Sequence, residues 1–162
     1  MSACAFWLRV AAMSAVAATL GIVLSPPRPP TRTPALAAIA LGAVAGALLF
    51  AALLRRRPVL AQLVSGSSAV ARNLFFALCA ANEEVLWRRV LLGELLPAGG
   101  LAALAASSAG FAAAHRRSRP LHVVTGATFG TLYLATGALA GCIAAHWAYN
   151  ALVGSLVHRA PP

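Results

Sequence analysis

Glu83 and Glu84, two of the chain's three acidic residues, stand inside the otherwise apolar run Ala80-Ala81-Asn82-Glu83-Glu84-Val85-Leu86-Trp87-Arg88-Arg89-Val90-Leu91-Leu92. This run constrains the fold more than any other feature. A charge at the centre of a membrane helix costs about 2.5–3.5 kcal/mol even on the lenient insertion scale, so two carboxylates and two guanidiniums need partners or water inside a bundle. Glu84 and Arg88 are four residues apart, one helical turn, and can neutralise each other. Glu83 projects from a neighbouring face and has no basic residue one turn away. It is the carboxylate left for chemistry.

The reason to expect a membrane helix is composition: 60% of the residues are hydrophobic over 162 positions, and the mean hydropathy is +0.81. That suits one domain in a bilayer and argues against a soluble one. The net charge of +10 comes entirely from arginine. These arginines gather at the ends of apolar runs, not along one stripe, and no nucleic-acid-binding motif accompanies them, so no nucleic-acid partner is expected. Cys4, Cys79 and Cys142 are odd in number, far apart and embedded in apolar segments. They read as packing residues, not as a disulfide framework or a zinc ribbon. The use of Arg without Lys and the abundance of Ala resemble the coding bias of a GC-rich bacterium.

A helical span needs about 20 mostly apolar residues, and six segments approach this: 4–24, 35–54, 70–93, 99–115, 120–137 and 139–158. The expectation is an all-α, polytopic membrane helix bundle of about six transmembrane helices, one membrane domain over 1–162. Within it, 1–69 holds two N-terminal spans and a connector, and 70–158 holds four more spans. The first segment also has the apolar core of a secretory signal, although no good small-x-small cleavage site follows it. Pro26-Pro27-Arg28-Pro29-Pro30-Thr31-Arg32-Thr33-Pro34 cannot continue a helix and reads as an extended, polyproline-like connector. Arg55-Arg56-Arg57-Pro58, Pro97 with Gly99-Gly100, and Arg116-Arg117-Ser118-Arg119-Pro120 end the later spans. The positive-inside rule then puts Arg55–Arg57, Arg116, Arg117, Arg119 and Arg159 on the cytoplasmic side with both termini, and Arg28 and Arg32 outside. A multi-pass protein of the cell membrane, in a bacterium the inner membrane, follows.

Small-xxx-small spacing recurs at Gly42/Gly46, Gly126/Gly130 and Gly137/Gly141, which lets helix backbones approach closely. In a chain so rich in Ala and Gly, chance produces any single pair nearly as readily. Ionisable groups inside the other spans are few. His115 closes the fourth segment, and His146 and Asn150 lie one turn apart in the sixth, on one face. Three helices could thus aim a carboxylate, two imidazoles and an amide into one cavity. Taken singly, His115 beside Arg116 fits an interfacial residue, and His146 with Asn150 fits a structural pair. Trp87, Trp147, Tyr133 and Tyr149 read as packing or interfacial aromatics. His122 and His158 sit at loop ends and are given no role.

Glu83 to Arg88 reads EExxxR, Phe111 to His115 reads FxxxH, and His146 to Asn150 reads HxxxN, in that order on successive spans. Together they resemble the three motifs of the CAAX-protease and bacteriocin-processing (CPBP, or Abi) family of intramembrane endopeptidases. The run Gly126 to Leu139 is similar to that family's helix leading into its last motif, and the resemblance covers about 72–157. It implies a catalytic set of Glu83, His115, His146 and Asn150, with Glu84 and Arg88 fixing the helix and tuning the site. Where relatives commonly have Gly after the motif arginine, this chain has Arg89, which would alter helix packing or add a charge near the site. Depth poses a second question: counted from the basic loops, Glu83 lies about 16 Å in while His115 is almost at the interface, so tilt or a water-filled funnel must reconcile them.

Hydrolysis of a peptide bond needs an activated water and hydrogen-bond donors for the developing oxyanion. Glu83 suits the base, His115 would orient the water or share its proton, and His146 and Asn150 would donate to the oxyanion. No cofactor is required by this reading, yet two histidines and a glutamate could also hold zinc with an open fourth position. The substrate would be a membrane-associated peptide or protein reached within the lipid bilayer. A noncatalytic interaction or immunity protein that keeps the polar cluster for folding is the alternative. A transporter using Glu83 as a proton carrier is disfavoured by the lack of an internal repeat.

Overall fold

The computed structural model describes residues 3–64, 68–116 and 118–157; Arg117, His158 and Arg159 lie outside them, as does the side chain of Cys4. Every regular element among the described residues is helical. Helix α1 runs Ala3–Val23, α2 Ala35–Leu54, and α3 is a single turn at Ala61–Val64. Helix α4, Ser68–Glu84, passes without a break into a π-helical stretch, Val85–Leu92, and a last turn at Gly93–Leu95. Then come α5 (Gly100–Ala114), α6 (Arg119–Thr136) and α7 (Leu139–Val157). The six long helical segments end within two residues of the expected limits. The short α3 and the π-helical stretch are additions that the sequence pattern did not suggest.

Among the described residues, only α2 is both long and apolar enough to pass as a span by itself. The apolar parts of α1 and α5 fall short in length, with Trp7–Val23 and Gly100–Ala114 the relevant stretches. The polar residues of α4 and of its π-helical continuation, Arg72, Asn73, Asn82, Glu83, Glu84, Arg88 and Arg89, lower the apolar character of that segment.

Packing directions follow from residue pairs. Gly42 and Gly46 of α2 meet the backbones of Gly141 and Ala145 of α7, so these two helices run parallel. Trp7 packs on Phe75 and Asn82 donates to Ser14 Oγ at 2.9 Å, so α1 runs parallel to α4. Gly126 against Ser108 and Gly130 against Leu104 make α5 and α6 antiparallel. Phe76 fills the space above Gly154, and Glu84 bonds His146, so α4 and α7 are antiparallel. The chain therefore alternates between two ends of one bundle. One end gathers 54–64, the start of α4 and the α5–α6 corner; the other gathers the Pro-rich connector, 95–100 and the α6–α7 turn.

Two of the three small-residue pairs carry helix contacts. A Cβ on Gly42 or Gly46 would collide with the carbonyls of Gly141 and Ala145, and one on Gly141 would lie 2.8 Å from the Ala38 carbonyl oxygen. Gly137 serves differently: it caps α6 with φ +68, a left-handed turn that a β-carbon disfavours. The connector is tied down beside it, with the Arg32 amide donating to the Thr136 carbonyl at 2.9 Å. Because α2 and α7 touch backbone to backbone, Gly42→Leu is expected to destabilise the bundle by at least about 1–3 kcal/mol, read as a lowered Tm in detergent. An unchanged Tm would mean that the helices do not meet there.

Candidate active site

The central charges sit where the sequence pairing placed them. Arg88 Nε lies 3.0 Å from Glu84 Oε2, and both side chains are fully buried. Their alignment leaves this contact an ion pair without hydrogen-bond geometry. Arg88 Nη2 donates to the Gly126 carbonyl at 3.3 Å, and the guanidinium carbon stands 5.0 Å from the Phe111 ring centroid and 5.7 Å from that of Phe129. Two aromatic faces and one carboxylate thus hold a cation where water cannot reach it. Arg88 lies within the π-helical stretch, a rare helix form that recurs at functional sites.

Glu84 has a second partner. Its Oε1 is 2.8 Å from His146 Nδ1. An ionised carboxylate only accepts, so His146 Nδ1 carries the proton and Nε2 faces the cavity as an acceptor when the ring is neutral. His115 is arranged alike, with Nδ1 2.7 Å from the Phe111 carbonyl. The Nε2 atoms of His115 and His146 each lie 3.8 Å from Glu83 Oε2. That oxygen is buried and has no hydrogen-bond partner, while the Glu83 side chain as a whole is 24% exposed. Three acceptors on three helices converge on one point, at separations too long for direct hydrogen bonds and short enough for one water to bridge.

A cavity of about 90 Å³ opens at this point, and Glu83, His115, His146 and Asn150 all line it. At about 30 Å³ per water, it holds on the order of three. Phe129 stacks on His146 at 5.0 Å, and Phe111 meets the same ring edge-on at 5.9 Å, so the imidazole plane is fixed by packing as well as by Glu84. Asn150 is half-buried with its amide uncommitted to any hydrogen bond among the described residues, which leaves a neutral donor at the cavity wall.

Helix length brings His115 to the level of Glu83 along the bundle. Helix α5 has 15 residues, about 22 Å, and starts at the bundle end where the π-helical segment closes. Glu83 stands somewhat less than about 18 Å before Leu95, since the wider π-helical turns rise less per residue than an α-helix, so the His115 corner arrives near its level. Helix α4 continues about 22 Å further, from Glu83 back to Ser68. His115 is therefore inside the bundle at a dipped corner, with Arg116 and Arg119 exposed beside it.

Two expectations need correction. His122, read as a solvated loop-end residue, lines the cavity and stacks on His115 with centroids 3.9 Å apart and planes 16° from parallel. Its Nδ1 lies 3.0 Å from the carbonyl of Ser118, itself held at φ 54. The short link between α5 and α6 was the available signal: residues just before and after such a reversal face one another. Of the two consequences expected of Arg89, altered helix packing or a charge near the site, the second is not found: its side chain is buried at the other end, where Nη1 donates to the carbonyls of Pro26 and Pro27. His158 lies outside the described residues.

Zinc suits the donor types, but the described residues hold no group of three or more His, Cys, Asp or Glu side chains close enough to grip an ion. Donors about 2.0–2.1 Å from zinc stand roughly 3.3 Å apart in a tetrahedral shell, closer than the 3.8 Å separations here. Cys79 and Cys142 are free thiols, and Cys142 Sγ points to the Phe129 carbonyl at 3.3 Å, in keeping with a packing role.

No curated protein and no solved structure matches the chain. A family model described as Type II CAAX prenyl endopeptidase Rce1-like matches residues 66–152, just over half of the sequence, and that stretch holds all three motifs and most of the helices that carry them. The chain belongs to this family, the CPBP family of CAAX-type proteases.

Proposed function

We propose that the protein is an intramembrane endopeptidase that hydrolyses a peptide bond of a membrane-associated protein or peptide with a glutamate-activated water. The observation that carries this reading is the Glu83 carboxylate oxygen, buried without a partner and 3.8 Å from the Nε2 atoms of both His115 and His146. Three acceptors around one point favour a molecule that donates two hydrogens. Water does.

Glu83 takes one proton from that water as its oxygen attacks the scissile carbonyl carbon, and His115 Nε2 accepts the other hydrogen and sets the attack direction. The carbonyl oxygen becomes an oxyanion. Asn150 offers the neutral N–H donor for it. His146 joins as a donor only when Nε2 is protonated, and Glu84 on Nδ1 stabilises that imidazolium as a buried carboxylate does in a catalytic triad. When the C–N bond breaks, the proton taken by Glu83 passes to the leaving amine, which restores the carboxylate, and the new carboxylic acid loses the other water proton to solvent. No step needs a metal.

We place the six long helical segments across the bilayer, with the end that gathers Arg55–Arg57, Arg116 and Arg119 on the cytoplasmic side. Short and polar segments are tolerated at membrane depth where they are buried in protein or line a water-filled cavity, which suits α5 and the π-helical stretch. The substrate then reaches the cavity from the cytoplasmic side through the dipped corner, as a lipid-tethered tail would.

The test uses purified protein, exhaustively chelated, with a prenylated CAAX-type peptide. Continued cleavage is expected. Loss of cleavage restored by zinc would replace the mechanism with a metal-dependent one, and binding of the peptide without any cleavage would favour an interaction protein.

A further inference from the structure

Arg89 departs from the family's usual small residue, and the catalytic cavity does not use it. It is 8% exposed, and its partners are two neutral backbone carbonyls. Among the described residues no carboxylate lies within ion-pair distance of it, Glu94 included. Arg28, from the connector, shares its cavity and likewise has no ion-pair partner. The two guanidiniums repel each other, Arg28 is exposed, and the charge of Glu94 reaches Arg89 only from beyond ion-pair distance, so an anion placed between the two arginines is favoured.

The recess has room for one. It encloses about 380 Å³ at the bundle end opposite the His115 corner and shares no lining residue with the catalytic cavity. Its polar lining includes Thr31 and Tyr133 beside the two arginines, and Ile22 and Leu139 supply apolar wall. Two guanidiniums match phosphate oxygens in geometry as well as charge. The volume falls in the range of organic ligands, and the mixed lining suits a phosphate that carries an apolar group.

We infer that this recess binds a phosphate ester, with Arg28 and Arg89 as its cationic ligands. A phospholipid headgroup is the source that the apolar wall favours, and free phosphate is the other. The site explains why Arg28 stands at the arginine-poor end of the bundle. It also gives Arg89 a task separate from peptide hydrolysis.

The full-length protein in neutral detergent tests this by thermal unfolding against phosphatidylglycerol, phosphatidylcholine and inorganic phosphate. Phosphatidylglycerol is expected to raise Tm saturably, phosphatidylcholine to give no comparable shift, and Arg28→Gln to weaken the phosphatidylglycerol response on the order of tenfold. Arg28 is exposed and makes no ion pair, so the ligand-free Tm should hold. If Gln does lower it, Arg28→Lys keeps the charge without the guanidinium fork and should retain more of the response than Gln does. Inorganic phosphate that gives the same Arg28-dependent shift and displaces the lipid would support the anion site with a soluble source. Equal responses to the two lipids, an Arg28→Gln response like the wild type, or its loss in Arg28→Lys would overturn the inference.

Discussion

Glu83→Gln is expected to slow peptide cleavage by roughly 10²–10⁴-fold, the usual worth of a positioned general base, while the Tm of the purified protein stays unchanged. The contrast follows from what Glu83 touches. Its buried Oε2 makes no hydrogen bond and neutralises no arginine, so folding does not depend on its charge. Gln has the same shape but cannot accept a proton from water at neutral pH. Rate and Tm measured on the same preparation check this, and an unimpaired rate would remove Glu83 from the chemistry.

Glu84→Ala should behave in the opposite way, costing about 3–5 kcal/mol of stability as well as activity. Removing the carboxylate leaves Arg88 fully buried with one carbonyl hydrogen bond and two ring faces as its remaining partners. It also removes the acceptor that fixes the His146 ring. Loss of the orienting carboxylate in a catalytic triad slows turnover by about 10⁴, so a drop on the order of 10²–10⁴ is expected in whatever protein still folds. Replacing both charges, as Glu84→Leu with Arg88→Met, should recover stability, because a buried pair often gives way to apolar residues without loss. Activity should not return. A single Glu84→Ala protein as stable as the wild type would show that the pair does not hold the bundle.

These two adjacent glutamates illustrate what can be read from sequence. Which of them pairs with Arg88 was legible, because Arg88 lies one turn from Glu84 and no cation lies one turn from Glu83. Helix limits were legible because Pro, Gly and arginine groups punctuate the apolar runs. The π-helical stretch was not, since Val85 to Leu92 contains no breaker. The wider turn occurs where Val85 packs near Gly21 and Trp87 fills the space over Gly110, contacts that no local pattern carries. His122 escaped for a similar reason, because its neighbours His115 and Phe111 come from the preceding helix. Arg89 is a third case: adjacent residues project in different directions around a helix, and the position of the connector, not the motif, gives its side chain a destination.

Whether the attacking oxygen comes straight from water can be read from a single turnover in ¹⁸O-labelled water with a prenylated CAAX-type peptide, followed by mass analysis of the new carboxylate and of Glu83. With Glu83 as a base, the first product carries one ¹⁸O atom and the glutamate carries none. An unlabelled first product with ¹⁸O found in Glu83 would mean that the carboxylate attacked the peptide itself, and the account given for this cavity would be wrong.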